Sequence, residues 1–456
     1  MEQITKPHCG ARLDRLPDCR WHSSMFAIVA FGLLVCWSNA VGGLILAQLK
    51  ALGWTDNSTT ATFSAITTAG MFLGALVGGI IGDKTGRRNA FILYEAIHIA
   101  SMVVGAFSPN MDFLIACRFV MGVGLGALLV TLFAGFTEYM PGRNRGTWSS
   151  RVSFIGNWSY PLCSLIAMGL TPLISAEWNW RVQLLIPAIL SLIATALAWR
   201  YFPESPRWLE SRGRYQEAEK VMRSIEEGVI RQTGKPLPPV VIADDGKAPQ
   251  AVPYSALLTG VLLKRVILGS CVLIAMNVVQ YTLINWLPTI FMTQGINLKD
   301  SIVLNTMSMF GAPFGIFIAM LVMDKIPRKT MGVGLLILIA VLGYIYSLQT
   351  SMLLITLIGF FLITFVYMYV CYASAVYVPE IWPTEAKLRG SGLANAVGRI
   401  SGIAAPYAVA VLLSSYGVTG VFILLGAVSI VVAIAIATIG IETKGVSVES
   451  LSIDAV

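Results

Sequence analysis

Charge is scarce in this sequence. Only 12% of its 456 residues are Asp, Glu, Lys or Arg, whereas 56% are hydrophobic and the mean hydropathy is +0.73. An ordinary soluble domain carries about twice that charged share, so a water-solvated globule is excluded and the apolar surplus must face another medium. Histidine occurs three times, as the isolated His8, His22 and His98. The seven cysteines are scattered, five of them inside apolar runs (Cys36, Cys117, Cys163, Cys271 and Cys371), which gives neither a disulfide framework nor metal-ligand spacing. The G-x-x-x-x-G-K-[ST] loop of nucleotide hydrolases is missing, as is any nucleophile–base constellation. No cofactor, no metal and no enzymatic activity are expected.

What the sequence does hold is a series of long apolar runs. Windows of about 19 residues mark twelve of them, near 24–47, 62–82, 90–108, 113–135, 151–173, 182–202, 266–292, 301–323, 331–348, 352–377, 391–413 and 418–440. Each is about 20 residues, enough to cross a bilayer as a helix. The expected fold class is therefore an all-α integral membrane protein. With the N-terminus inside, the cytoplasmic segments hold 27 of the 32 Lys and Arg, the outer segments hold Lys50, Arg181 and Lys299, and Arg118 and Arg399 lie within spans. This bias puts both termini in the cytoplasm. It also makes the net charge of +8 a topology signal rather than a sign of nucleic-acid binding. The first run is too long for a cleavable leader and reads as a retained span.

The longest polar stretch divides the chain into residues 1–202, a linker at 203–264 and residues 265–456, with six spans on each side. In the linker, Ala218, Val221, Met222 and Ile225 fall at helical spacing, so a short amphipathic helix at the cytoplasmic face is expected. "KPLPPVVIADDGKAPQ" reads as irregular. A charged turn occurs once per half. "GGIIGDKTGRR" joins spans 2 and 3, and "MDKIPRK" joins spans 8 and 9, with Asp83, Lys84 and Arg87 recurring as Asp324, Lys325 and Arg328.

Gly79, Gly82, Asp83, Gly86, Arg87 and Arg88 resemble the G-x-x-x-D-x-x-G-R-[RK] signature of the major facilitator superfamily. "PESPRWL" after span 6, "ETKG" after span 12, and Glu138, Pro141, Arg145 and Gly146 with their counterparts Glu380, Pro383, Arg389 and Gly390 look like the sugar porter family within it. "LDRLPDCRWH" and the chain as a whole also look like a group of enterobacterial inner-membrane metabolite transporters. The resemblance implies two pseudo-symmetric six-helix bundles in a bacterial inner membrane, with a substrate site at their interface near the midplane. It further implies a gating network of Asp83, Arg87, Arg88, Glu138, Arg145 and Glu204 in one half, and Asp324, Arg328, Lys329, Glu380 and Arg389 in the other. The plainer alternative is that these charges only set topology. Three positions depart from the family: Ser38 stands where proton-coupled members have an acid, Ala275 and Met276 replace a Gln pair, and Ser153 replaces a Gln.

Polar side chains inside spans tend to face a cavity. Asn277, Gln280, Tyr281 and Asn285 share one face of span 7, with Trp286 beside them; span 1 adds Trp37 and Asn39, span 5 adds Asn157, and span 10 adds Tyr372. Arg118 and Arg399 are intramembrane cations suited to a carboxylate. Each of these groups has a structural alternative in helix-to-helix bonding. Glu95 and His98 share a face of span 3 and form either a proton relay or a structural pair. Gly70, Gly74, Gly78 and Gly82, with Gly122, Gly124 and Gly126, serve close packing or hinging alike.

The expected protein is a monomeric secondary transporter in contact with lipid. It would move a sugar, polyol or sugar-derived acid by alternating access, with protons as a candidate coupling ion. Carriage of organic acids through the intramembrane arginines is the alternative, and a non-transporting membrane sensor is the rival from another class.

Overall fold

The computed structural model describes residues 7–17, 19–33, 36–140, 145–240, 253–323, 325–382 and 386–443. The secondary structure of these residues is helical. The first half comprises α1 (Cys9–Asp14), α2 (Arg20–Leu33), α3 (Trp37–Ala51), α4 (Asn57–Thr85), α5 (Arg87–Ala106), α6 (Met111–Tyr139), α7 (Arg145–Asn157), α8 (Ser159–Leu170) and α9 (Ala176–Tyr201). Between the halves lie α10 (Pro206–Ser211), α11 (Tyr215–Thr233) and α12 (Tyr254–Leu257). The second half comprises α13 (Gly260–Thr293), α14 (Leu298–Met309), α15 (Gly311–Val322), α16 (Arg328–Ser347), α17 (Met352–Cys371), α18 (Val378–Glu380) and α19 (Lys387–Ile439). A π-helical turn, Tyr372–Tyr377, joins α17 to α18.

Among the described residues, ten helical stretches are long and apolar enough to cross a membrane. The last of them holds two spans, because Gly417 has φ 65° and breaks α19, a conformation open to glycine at little cost. The broken pair α7–α8 supplies the twelfth. Helix starts follow local chemistry. The Asp56 carboxylate accepts from Thr59 N at 2.7 Å, Asn110 Oδ1 from Phe113 N at 2.9 Å and Asn297 Oδ1 from Asp300 N at 2.9 Å, each satisfying a donor at the first turn.

Apolar packing separates the two halves. One buried cluster is built almost wholly from residues between Met25 and Phe202, the other from residues between Leu257 and Ile436. The glycines of α4 and α6 bring two backbones into contact. A Cβ at Gly70 would lie 2.3 Å from Phe119 O, at Gly74 2.0 Å from Val123 O, and at Gly126 2.1 Å from Met71 O. The small-residue spacing serves close approach.

A third cluster was not foreseen. α11 buries Ala218, Met222, Ile225 and Val229 against Leu13 and Leu16 of the N-terminal segment and Trp208 of α10. The apolar stripe of the linker helix thus faces protein. The Arg12 guanidinium clamps it, donating from Nε and Nη2 to the Glu226 carboxylate at 3.0 and 2.7 Å and pairing with Glu219. Burial pushes the Glu226 carboxyl up, but the Arg12 and Arg15 guanidiniums outweigh it and hold it below the usual range.

Candidate functional site

The repeated turn organises one end of the bundle. α4 ends at Thr85, Gly86 takes φ 97°, and α5 starts at Arg87. A side chain at Gly86 would also strike Glu204, whose vacant approach leaves Oε2 2.2 Å from an ideal Cβ. Glu204 uses that closeness: its Oε1 accepts from the backbone N–H of Arg87 at 2.7 Å and of Arg88 at 3.3 Å, placing a carboxylate on the positive end of α5. In the second half Glu442 does the same for α16, accepting from Arg328 N at 2.7 Å and Lys329 N at 3.1 Å. The pseudo-symmetry therefore extends to the chain segments that leave spans 6 and 12. Pro327 cannot take the positive φ of Gly86 and stands at φ −56° as the residue before α16.

The ion pairs in the two turns differ in strength. Asp83 accepts from Arg87 Nη1 at 2.7 Å, with the aspartate side chain 64% exposed. Arg328 grips Glu380 through two bonds, Nε to Oε2 at 3.0 Å and Nη2 to Oε1 at 3.1 Å, and its own side chain is 7% exposed. Thr443 adds a third donor to Glu380 at 2.6 Å. Arg88 donates to Trp199 O, and Arg389 is half-buried near the start of α19. The side chains of Glu138 and Arg145, and Asp324 as a whole, lie outside the described residues.

Deeper in the molecule a cavity of 270 Å³ lies between the halves. Its polar wall is Asn39 from α3, Ser153 and Asn157 from α7, Tyr160 from α8, Gln280 and Tyr281 from α13, Ser374 from the π turn and Arg399 from α19. Met71, Leu125 and Leu129 supply an apolar side. Asn157 turns its amide nitrogen to Ser153 O at 2.8 Å. Among the described residues, Arg399 makes no hydrogen bond or ion pair, and the Gln280 amide faces the Tyr367 hydroxyl. An unpaired cation and two amides thus converge on one small space.

The other candidates sit elsewhere. Arg118 is 2% exposed and turns toward span 1, where Nη1 donates to Ser38 O at 2.7 Å and the guanidinium lies 4.8 Å from the Phe63 ring centroid. Gly42 is needed beside it, since an added Cβ would lie 2.9 Å from Nη2. A backbone carbonyl of Ser38 therefore holds the cation at the position where the family has a carboxylate. Trp37 is buried in the core of the first half. Asn277 donates to Leu273 O at 2.7 Å under Gly398 of α19. The Asn285 backbone packs on Gly43, and Trp286 is fully buried with Ala61 and Val409. Tyr372 stacks on Tyr377, 5.0 Å between centroids, with its hydroxyl against Gly332. Tyr160, absent from the sequence reading, meets Tyr367 edge-on at 5.4 Å across the seam.

The two halves touch beyond the cavity, toward the Asn57 end. A Cβ at Gly43 would lie 2.4 Å from Ile284 O, Asn57 Nδ2 donates to Ser414 Oγ at 2.9 Å, and Asn305 Nδ2 donates to Ser164 Oγ at 3.0 Å.

A twelve-helix membrane fold, a charged turn repeated in each half and a polar cavity at the seam are the features of a membrane carrier. The chain belongs to the Major Facilitator Superfamily, whose family model matches residues 26–406. It is 44% identical over 455 residues, 99% of each chain, to the inner membrane metabolite transport protein YdjE of Escherichia coli (strain K12). It is 26% identical over 448 residues to the niacin transporter NiaP of Acinetobacter baylyi, covering 97% of this chain and 99% of that one. Among solved structures, the xylose transporter XylE of E. coli in a partially occluded inward open conformation matches with a TM-score of 0.74 at 18% identity, covering 94% of this chain and 100% of that chain. The protein is a multi-pass membrane transporter of the metabolite-carrying kind and not an enzyme.

Proposed function

We propose that the protein carries a small polar carboxylate, a sugar-derived acid or a ring acid of similar size, across the bacterial inner membrane. Both termini stand in the cytoplasm, and the halves rock about the cavity. The observation that carries this reading is Arg399, an unpartnered guanidinium in the cavity wall. An arginine holds a carboxylate through two parallel charge-assisted bonds, while Asn39, Gln280 and Tyr281 offer donors and acceptors to ring hydroxyls. A cavity of 270 Å³ is at the small end for ligand sites, which suits a single ring and excludes larger conjugates. The niacin transporter among the relatives is named for a substrate that is itself a small ring carboxylate, which agrees with this choice.

The test is counterflow in proteoliposomes loaded with unlabelled gluconate, glucuronate, nicotinate or glucose. One of the carboxylates should exchange and glucose should not, and Arg399→Gln should weaken that exchange by roughly 30–150-fold, the equivalent of about 2–3 kcal/mol for a hydrogen bond to a charged group. Exchange of glucose that is unaffected by Arg399→Gln would establish a neutral substrate instead.

A further inference from the structure

Glu95 is fully buried at the centre of α5, and neither of its carboxyl oxygens has a hydrogen-bond partner among the described residues. Three residues along the same face, His98 is also fully buried, with Nδ1 4.0 Å from Glu95 Oε2 and 3.2 Å from Ser191 Oγ of α9. His98 Nε2 has no partner among the described residues. A buried polar atom without a partner calls for an explanation. An ionised carboxylate with no donor inside a membrane span is far more costly than the neutral acid.

The surroundings decide which groups can compensate a charge here. α5 packs against α6, α9 and α4. α6 brings Asp112, Cys117 and Arg118; α9 brings Glu177, Arg181 and Arg200; α4 brings Asp83 and Lys84. Asp112, Glu177 and Arg181 stand at one end of their helices, and Asp83, Lys84 and Arg200 at the other. Arg118 is the buried cation among them, and it lies on the His98 side of the pair. Gly124 packs on the His98 backbone and Gly105 packs on Cys117, so Arg118 falls between these two contacts. Its guanidinium links this region to Ser38 of span 1, next to the cavity residue Asn39.

We propose that Glu95 and His98 form a proton-carrying site that replaces the acid missing from span 1. This rests on the reading of the protein as a carrier and adds the coupling ion to it. In the state described, Glu95 holds the proton as a carboxylic acid beside neutral imidazole. On release, the Glu95 O–H bond breaks and the proton moves to His98 Nδ1, giving imidazolium. The proton then leaves from Nε2 to water, and imidazole remains as the Nδ1–H tautomer. Reprotonation at Nε2 from the other side of the membrane gives imidazolium again, and its Nδ1 proton returns to Glu95, which restores both the acid and the starting Nε2–H tautomer.

Two measurements test this, and the first needs no substrate. Infrared spectra of the protein in liposomes at neutral pH should show a protonated carboxylic-acid C=O stretch that disappears in Glu95→Gln. Its presence at equal intensity in both proteins would overturn the proposal. The second takes whichever of gluconate, glucuronate or nicotinate exchanges in the wild type. Glu95→Gln should keep counterflow within about two-fold and lose accumulation driven by an imposed pH gradient, while Glu95→Asp keeps part of that accumulation. A Glu95→Gln protein that accumulates the probe as well as the wild type would also overturn it. Absence of exchange for all three carboxylates would count against the proposed substrate class, and the infrared result would still decide the proton site.

Discussion

Arg328 and Glu380 meet through two parallel hydrogen bonds, 3.0 and 3.1 Å, while Arg328 N is held by Glu442 and Glu380 is held by Thr443. Arg328, Glu380, Glu442 and Thr443, from three segments of the second half, thus form one linked network. In the first half Arg87 pairs with Asp83, whose side chain is largely open to solvent while that of Arg87 is 17% exposed.

The burial difference sets the ranking of two variants. Arg328→Gln should disturb the conformational cycle by about 1–3 kcal/mol, since it leaves a partly desolvated carboxylate without its cation. Asp83→Asn should have the smaller effect, within the 0–1 kcal/mol of an exposed pair. Counterflow rate measured beside substrate affinity checks this; a larger rate defect in Asp83→Asn would reverse the ranking.

Gln280 and Asn277 lie one helical turn apart on α13 and should respond differently. Gln280→Ala removes an amide from the cavity wall and should weaken binding by about 1–3 kcal/mol. Asn277→Ala should leave affinity unchanged, because its amide is spent on Leu273 O. Calorimetric titration of both proteins with the transported carboxylate compares them directly.

Gly43→Val should separate α3 from α13, as the first added carbon already falls 2.4 Å from Ile284 O. Substrate should still bind while transport stops. Spin labels at positions 57 and 414 should report a longer distance than in the parent protein.

The N-terminal clamp should open in acid. The Glu219 and Glu226 carboxyls are raised by burial but lowered further by the Arg12, Arg15 and Arg223 guanidiniums, so both titrate below their ordinary value. A depressed carboxyl pKa gives stability that is complete above the unfolded value and is lost as pH falls through the folded one. Hydrogen exchange in α1 and α11, corrected for intrinsic rate, should therefore rise below about pH 4 and not between pH 5 and 8. Arg12→Gln should show the faster exchange already at neutral pH.

Much of the architecture was readable because membrane spans announce themselves by length and composition, and because Gly86 and Gly417 stand where the backbone turns to positive φ. The cavity was readable only in part. Asn277, Gln280, Tyr281 and Asn285 do share a helical face, yet that face is wider than the cavity. Gly398 of α19 covers one end of it and Gly43 of α3 covers the other, leaving Gln280 and Tyr281 in between. Helical spacing states which side chains point together, and neighbouring glycines decide which of them are roofed over. Trp286 and Tyr372 are hidden for the same reason: one fits against Ala61 and Val409, the other against Gly332. Tyr160 could have been found by its place one turn beyond Asn157. The clamp of Arg12 on α11 joins segments some two hundred residues apart, and no local pattern in either carries the other's address.

The glycine seam of α4 and α6 has a mechanical consequence. With backbone against backbone, these two helices have no side-chain layer between them that could shear. They form a single stiff arm about 43 Å long at 29 residues each. Near one tip Asn57 touches the opposite half, and near the other stands the Asp83 turn. If the halves rock about the cavity as proposed, a tilt of a few degrees that parts the first contact swings the Asp83 turn by several ångströms in the opposite sense, and the arm acts as a see-saw.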